Sequence, residues 1–200
     1  MSFREFFETQ EINQTLWTIY QKIRSKFDPW LAEYQHGNMQ SVRDIMSSEE
    51  EFHYYLNEYT VDHLDFEIRE DGLIVPERIT AENQPIIGNL AIVVYHHTSD
   101  SIDNVIQMRG LQSSNEPGVD QVNPYLNTSS GVYVTTQYSG SVVDGYHQAA
   151  VDHHGGNDRT WEIITTIDQL SNDADDADLD WSHGRQFVLN YVDPSYITQV

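Results

Sequence analysis

The chain contains no cysteine. Disulfide staples, zinc–thiolate sites and thiol nucleophiles are therefore excluded together. Lysine is almost as scarce, with Lys22 and Lys26 alone among ten basic residues, against 32 Asp and Glu. No apolar run approaches the roughly 18 residues that a membrane-spanning helix needs, so no membrane partner is expected. The opening MSFREFFETQ carries acids where a secretory leader has a basic and then an apolar stretch. A cytoplasmic protein, not secreted by that route, is the expectation. What remains is 200 residues, enough to bury a core without a staple.

The formal net charge is −22. Such a chain repels itself at ordinary ionic strength, where screening lengths are about 8–10 Å, and far less at molar salt, where they fall to about 3 Å. This acid-rich, lysine-poor composition resembles that of proteins from salt-loving archaea and their viruses. An acidic protein of an ordinary host, or a mimic of nucleic acid, is the alternative reading. Extended nucleic-acid binding is disfavoured under each, because it needs clustered Lys and Arg.

Helical patterning dominates the first sixty residues. Ser2 can cap a turn through Phe3, Phe6 and Phe7. Ile12, Leu16, Ile19, Ile23 and Phe27 then recur at the helical period. Asp28-Pro29 is expected to end that helix and start another. Ser48-Glu-Glu-Glu51 reads as a capping box opening a helix with Phe52, Tyr55, Leu56 and Tyr59 on one face. These aromatic stripes are packing or docking surface and carry no chemistry. Asp71-Gly72, Pro76, Pro85 and Gly88 punctuate a transition, which places a boundary near residue 88. Residues 1–88 form the expected helical region and 89–200 a second domain.

Beyond residue 88, strands alternate with short helices. Leu90–Tyr95 is a continuous apolar run, as in a strand buried on both faces. Ser99 or Asp100 can cap a helix that Gly110 stops. Gly131–Thr135 reads as a strand, Ser139–Ala150 as a helix, and 161–167 and 186–192 as strands. The overall expectation is an α+β fold. Asn172–Asp180 reads as a solvated acidic loop.

Three segments carry chemistry. The first is Val94-Tyr95-His96-His97-Thr98-Ser99, followed by Arg109-Gly110-Leu111. The second is Gly131-Val-Tyr133, followed by Ser139 or Ser141 and Tyr146. The third is Gly184-Arg185-Gln186-Phe-Val-Leu189, followed by Asp193-Pro-Ser-Tyr-Ile197. In this order they resemble three motifs of the ADP-ribosyltransferases, over a little more than half the chain. The resemblance implies a split β-sheet domain with short helices, which takes NAD as its substrate. It implies that His96 bonds a ribose hydroxyl and that the backbone at His97, with Thr98, holds the nicotinamide amide. His97 stands where the family has Gly. Tyr133 and Tyr146, with Tyr138 as the alternative to Tyr146, would sandwich the nicotinamide ring, with Ser141 beside them. Arg109 and Arg185 would reach the pyrophosphate. Gln186 occupies the place of the catalytic acid, and Asp180 is a substitute acid nearby. A carboxylate there stabilises an oxocarbenium-like transition state, whereas an amide orients the hydroxyl without charge.

His147, Asp152, His153 and His154 are of metal-ligating type, but they surround Gly155-Gly156 in what reads as a loop, so no metal site is assigned. Asp176, Asp178 and Asp180 imitate a calcium loop, yet Trp181 and Phe187 occupy the positions of its required Gly and Glu. A tRNA 2′-phosphotransferase shares the Tyr-His opening but needs basic residues that this chain lacks. Two functions follow. One is NAD-dependent transfer of ADP-ribose to a macromolecular acceptor by His96, Tyr133 and Gln186. The other is a catalytically inactive structural or binding protein of the same fold, such as a virion component, whose residues 1–60 dock onto other assembly proteins in the virion or the host cytoplasm.

Overall fold

The computed structural model describes residues 14–34, 48–112, 131–171 and 186–200. The expected turn at 2–7, most of the polar loop after Gln112, the acidic loop, Asp176, Asp178, Asp180 and Arg185 lie outside them. The fold is mixed α+β, a seven-stranded mixed sheet with helices against it.

Helix α1 (Gln14–Tyr34) buries Leu16, Ile19, Tyr20, Ile23, Phe27 and Leu31 along one stripe. It runs through Pro29 and does not end there, contrary to the reading of Asp28-Pro29 as a stop and restart. Proline inside a helix costs about 3 kcal/mol, because it removes a hydrogen bond and crowds the preceding turn. Packing on both sides of the proline offsets that cost. The Phe27 and Trp30 rings stack at 5.7 Å, and each meets Tyr59 edge-on, at 5.6 and 5.2 Å. Asp28 accepts from Tyr20 Oη at 3.1 Å and from Arg24 Nε at 3.2 Å.

Helix α2 (Glu49–Leu64) starts where expected, with Ser48 Oγ accepting from the Glu51 N–H at 3.1 Å. It ends on Asp65, whose φ of 56° turns the chain away. Buried Asn83 ties that end to the short helix α3 (Gln84–Ile87), its amide donating to the carbonyls of Leu64 and Arg78 at 2.8 and 2.9 Å.

Strands β1 (Phe66–Ile68) and β2 (Ile74–Pro76) pair antiparallel, and β2 lies parallel to β3 (Ile92–Ser99) through Ile74 and Ile92. The stretch read as a transition before residue 88 thus contributes two strands, and the sheet includes residues on both sides of the boundary placed there. At the sheet's edge, Ile68 has its carbonyl bonded by His53 Nε2–H and its N–H bonded to Asn57 Oδ1, both at 2.6 Å. Helix side chains thereby occupy hydrogen-bonding groups that an edge strand would leave open.

Along its other edge, β3 pairs for all eight residues with β6 (Asp158–Thr165), which in turn pairs with β9 (Ile197–Gln199). β5 (Val132–Thr135) joins β3 at Tyr95 and carries β7 (Gln186–Leu189) beyond it. β2 and β5 therefore share one edge of β3, and Thr136 Oγ1 donates to the Glu77 carbonyl at 2.7 Å where they meet. Gly131 is required where β5 closes on β7, since a Cβ would lie 1.9 Å from Val188 Cγ1.

After β3, Ser99 caps a 3-10 turn that continues into α4 (Asp103–Arg109), stopped by Gly110 at φ 73°. β4 (Leu111–Gln112) and β8 (Tyr191–Val192) make a separate small pair, and α5 (Ser141–His154) lies over β3 and β6. Among the described residues no helix is long and apolar enough to cross a membrane.

One apolar core includes residues of α1, α2, the sheet and the β4–β8 pair, from Phe27 and Phe52 to Trp161, Phe187 and Val192. Phe27→Ala should cost about 3–5 kcal/mol and lower one cooperative transition. Far-ultraviolet and near-ultraviolet circular dichroism should melt together in the variant as in the parent. A helical signal that shifts alone, with the sheet melting at its original temperature, would show that the shared core does not couple them.

Candidate functional site

Residues paired across adjacent strands point to the same face of a sheet, and neighbours along a strand point to opposite faces. Tyr95 is opposite Thr135, and Thr135 is opposite Gln186. Tyr95, His97, Tyr133, Thr135 and Gln186 therefore occupy one face, the face toward α5. Val94, His96, Val134 and Phe187 occupy the other.

This alternation separates the expected catalytic set. Gln186 and Tyr133 are diagonal neighbours on β7 and β5, whereas His96 points away from both. His96 reaches its strand neighbour by the backbone alone, Nδ1–H donating to the Tyr133 carbonyl at 2.8 Å. Although part of its surface is accessible, protein atoms surround the ring densely, and that desolvation lowers its pKa against the opposing effect of the bond. Trp161, directly opposite His96 on β6, keeps a buried indole N–H with no acceptor among the described residues.

His97, assigned a backbone role in holding nicotinamide, is the histidine that shares the Tyr133–Gln186 face. It is only 7% exposed, and protein groups engage both ring nitrogens. Nε2 lies 2.9 Å from the Gln137 carbonyl, which can only accept, so this nitrogen carries the proton. Burial, partly opposed by that bond and reinforced by His147 and His96 nearby, depresses the His97 pKa to about 4, so the ring is neutral near pH 7. Nδ1 then accepts from Thr160 Oγ1 at 3.0 Å. The same hydroxyl oxygen accepts from His147 Nε2–H at 3.1 Å. The result is a directed chain, His147 to Thr160 to His97 to Gln137, with every hydrogen assigned. His97 and His147 also meet edge-on at 4.9 Å.

The remaining expected residues scatter. Thr98 is buried beside His97 on the opposite face, where it cannot join Tyr133 and Gln186. Ser141 is exposed at the first position of α5, and half-buried Tyr146 lies one residue before His147 on the same helix. Tyr138 is 54% exposed and stacks edge-on against Tyr95 at 5.4 Å. Arg109 is exposed at the end of α4, next to the β4–β8 pair.

His147, Asp152, His153 and His154 belong to the helix and not to a loop, since α5 runs on to a Gly155 cap at φ 72°. His153 and His154 meet edge-on at 4.7 Å in its last turn. The partnership of His147 with Thr160 was hidden in sequence, since it joins a helix to a strand across the sheet face.

Charge adds a second constraint. Six of the seven described basic residues are already engaged: Lys22 with the carbonyls of Pro85 and Ile86, Arg24 with Asp28, Lys26 with Glu82, Arg69 with Asp71 and Glu162, Arg78 with Asp65, and Arg159 with Asp103. Among the described residues, Arg109 alone is left for an anionic ligand. The chain matches no protein-family model and no curated protein in sequence.

The His97 pKa is lower folded than unfolded, so folding favours the neutral ring. That contribution is complete above the ordinary value of about 6.5 and is lost as pH falls toward 4, amounting to roughly 2–3 kcal/mol. His97→Gln should therefore destabilise most at pH 7, and its penalty should shrink by about that amount at pH 4. Urea titrations of parent and variant at both pH values measure the difference, which cancels the effect of the many carboxylates. A penalty independent of pH would exclude a depressed His97.

Proposed function

We propose that this chain is a binding or structural protein that resembles the ADP-ribosyltransferases without running their chemistry. One observation carries the reading: neighbouring positions on β3 send His96 to one face of the sheet while Tyr133 and Gln186 occupy the other. A ribose hydroxyl held by His96 would not lie over the nicotinamide-facing tyrosine. His97, on the correct face, has no free nitrogen to offer.

Three further features support it. Gln186 supplies no charge to an oxocarbenium-like centre. The pyrophosphate of NAD would find one uncommitted cation among the described residues, Arg109, at the far end of α4. The net charge keeps copies of the chain apart and leaves a basic partner as the complementary surface, which suits a component of an assembly such as a virion.

A second reading, NAD-dependent ADP-ribosyl transfer to a macromolecular acceptor, is favoured by one feature. His97, Tyr133 and Gln186 share a face across three adjacent strands, and β2 and β5 divide one edge of β3 as a split sheet would. In that case the ring nearest the reaction is His97 and not His96.

Nicotinamide release distinguishes the two. Incubated with NAD in molar potassium chloride, the protein should release no more nicotinamide than a buffer blank, and His97→Ala should change nothing. Release above the blank that disappears in His97→Ala or Gln186→Ala would replace the first reading with the second.

A further inference from the structure

The C-terminal part of α1 and the outward side of α2 form an aromatic surface. Trp30 stacks on Tyr34 at 4.9 Å, Tyr34 meets Tyr55 at 6.2 Å, and Tyr55 meets Tyr54 at 5.2 Å. The inner end of this series is anchored in the core through Tyr59, while its outer end is not. Tyr34 is 45% exposed and Tyr54 is 53% exposed. Packing explains Trp30 and Tyr59, but it does not explain two tyrosines holding their rings in water.

The electrostatic setting is as one-sided as the composition. From Asp28 to Tyr34 and throughout α2 there is no Lys or Arg, while Glu33, Glu50, Glu51, Glu58 and Asp62 are present. Glu58 lies one helical turn from Tyr54, and its charge is the main reason that the Tyr54 hydroxyl titrates above its ordinary range, with the neighbouring Tyr34 hydroxyl adding to it.

We infer that the surface of Trp30, Tyr34, Tyr54 and Tyr55, edged by Glu58, docks an arginine-bearing basic segment of a partner protein. A guanidinium can lie flat on an aromatic ring while its N–H groups reach a carboxylate, and this face provides rings and carboxylates side by side. An ammonium satisfies only part of that geometry. A polyanion is repelled, and a second copy would set Glu58 and its neighbours against an identical acidic face. The inference deepens the binding reading by naming the partner's chemistry. It does not depend on whether NAD is cleaved, so its failure and a positive nicotinamide assay are separate results.

Fluorescence anisotropy with dye-labelled oligo-arginine and oligo-lysine of equal length tests it, in about 1 M potassium chloride to screen the general attraction of an acidic protein for any cation. Oligo-arginine should bind about tenfold more tightly than oligo-lysine. Tyr34→Ser with Tyr54→Ser removes rings without changing charge and should cost about tenfold in oligo-arginine affinity. Glu58→Gln should weaken it as well, and Asp144→Asn, an exposed position on α5, should not. Equal affinity for the two peptides, or no loss in the double tyrosine variant with its circular dichroism intact, overturns the assignment. Self-association in sedimentation at the same salt, abolished by the double variant, would overturn it in favour of a second copy.

Discussion

The β3–β6 ladder is the constraint from which the other placements follow. β3 is paired along its whole length with β6 on one side and divided between β2 and β5 on the other. Both its faces are covered, by α5 on one and by the shared core on the other. A strand held this way has no freedom to rotate, and a slip of one residue would exchange every buried side chain with its neighbour on the other face. The orientation of His96 and His97 is thereby settled by Val93 and Val94, which are wholly buried on opposite faces.

That rigidity explains why two adjacent histidines have unrelated roles. His96 anchors its strand to the backbone of β5. His97 is a link in the hydrogen-bond chain from His147 through Thr160 to the Gln137 carbonyl, which joins the sheet to α5. Buried polar groups without partners are costly, each lost bond worth roughly 1–3 kcal/mol, so the chain through Thr160 makes the α5 side of the sheet specific as well as apolar. A side chain committed to such a chain is poorly available for a ligand. Binding is therefore better placed on the outer surface of α1 and α2, where aromatic rings and carboxylates face solvent.

Charge acts on a different level from the fold. The described ion pairs are mostly exposed, and pairs of that kind contribute little to stability. Their main effect is to consume the few cations, which leaves the surplus of carboxylates uncompensated. The helices nevertheless pack, because Phe27, Phe52, Leu56 and their neighbours remove enough apolar surface from water to outweigh the repulsion at the surface.

Local signals were legible from residue order alone. The Ser48 cap, most of the buried strand read at 90–95, the Gly110 stop and most of the helix read at 139–150 each depend on a few neighbouring side chains. Pro29 was misleading because its penalty is local, whereas the packing of Phe27 and Trp30 on Tyr59 that overrides it spans some thirty residues of chain. β1 and β2 are a short local hairpin around Asp71-Gly72, and what residue order hid was the docking of β2 onto β3 through Ile74 and Ile92. Sequence by itself determined the charge, the absence of thiol chemistry, the mixed α+β character and the identity of the polar residues near β3. Only the tertiary structure decided which of them share a face, because strand register and the alternation of side chains are set by pairing with distant segments.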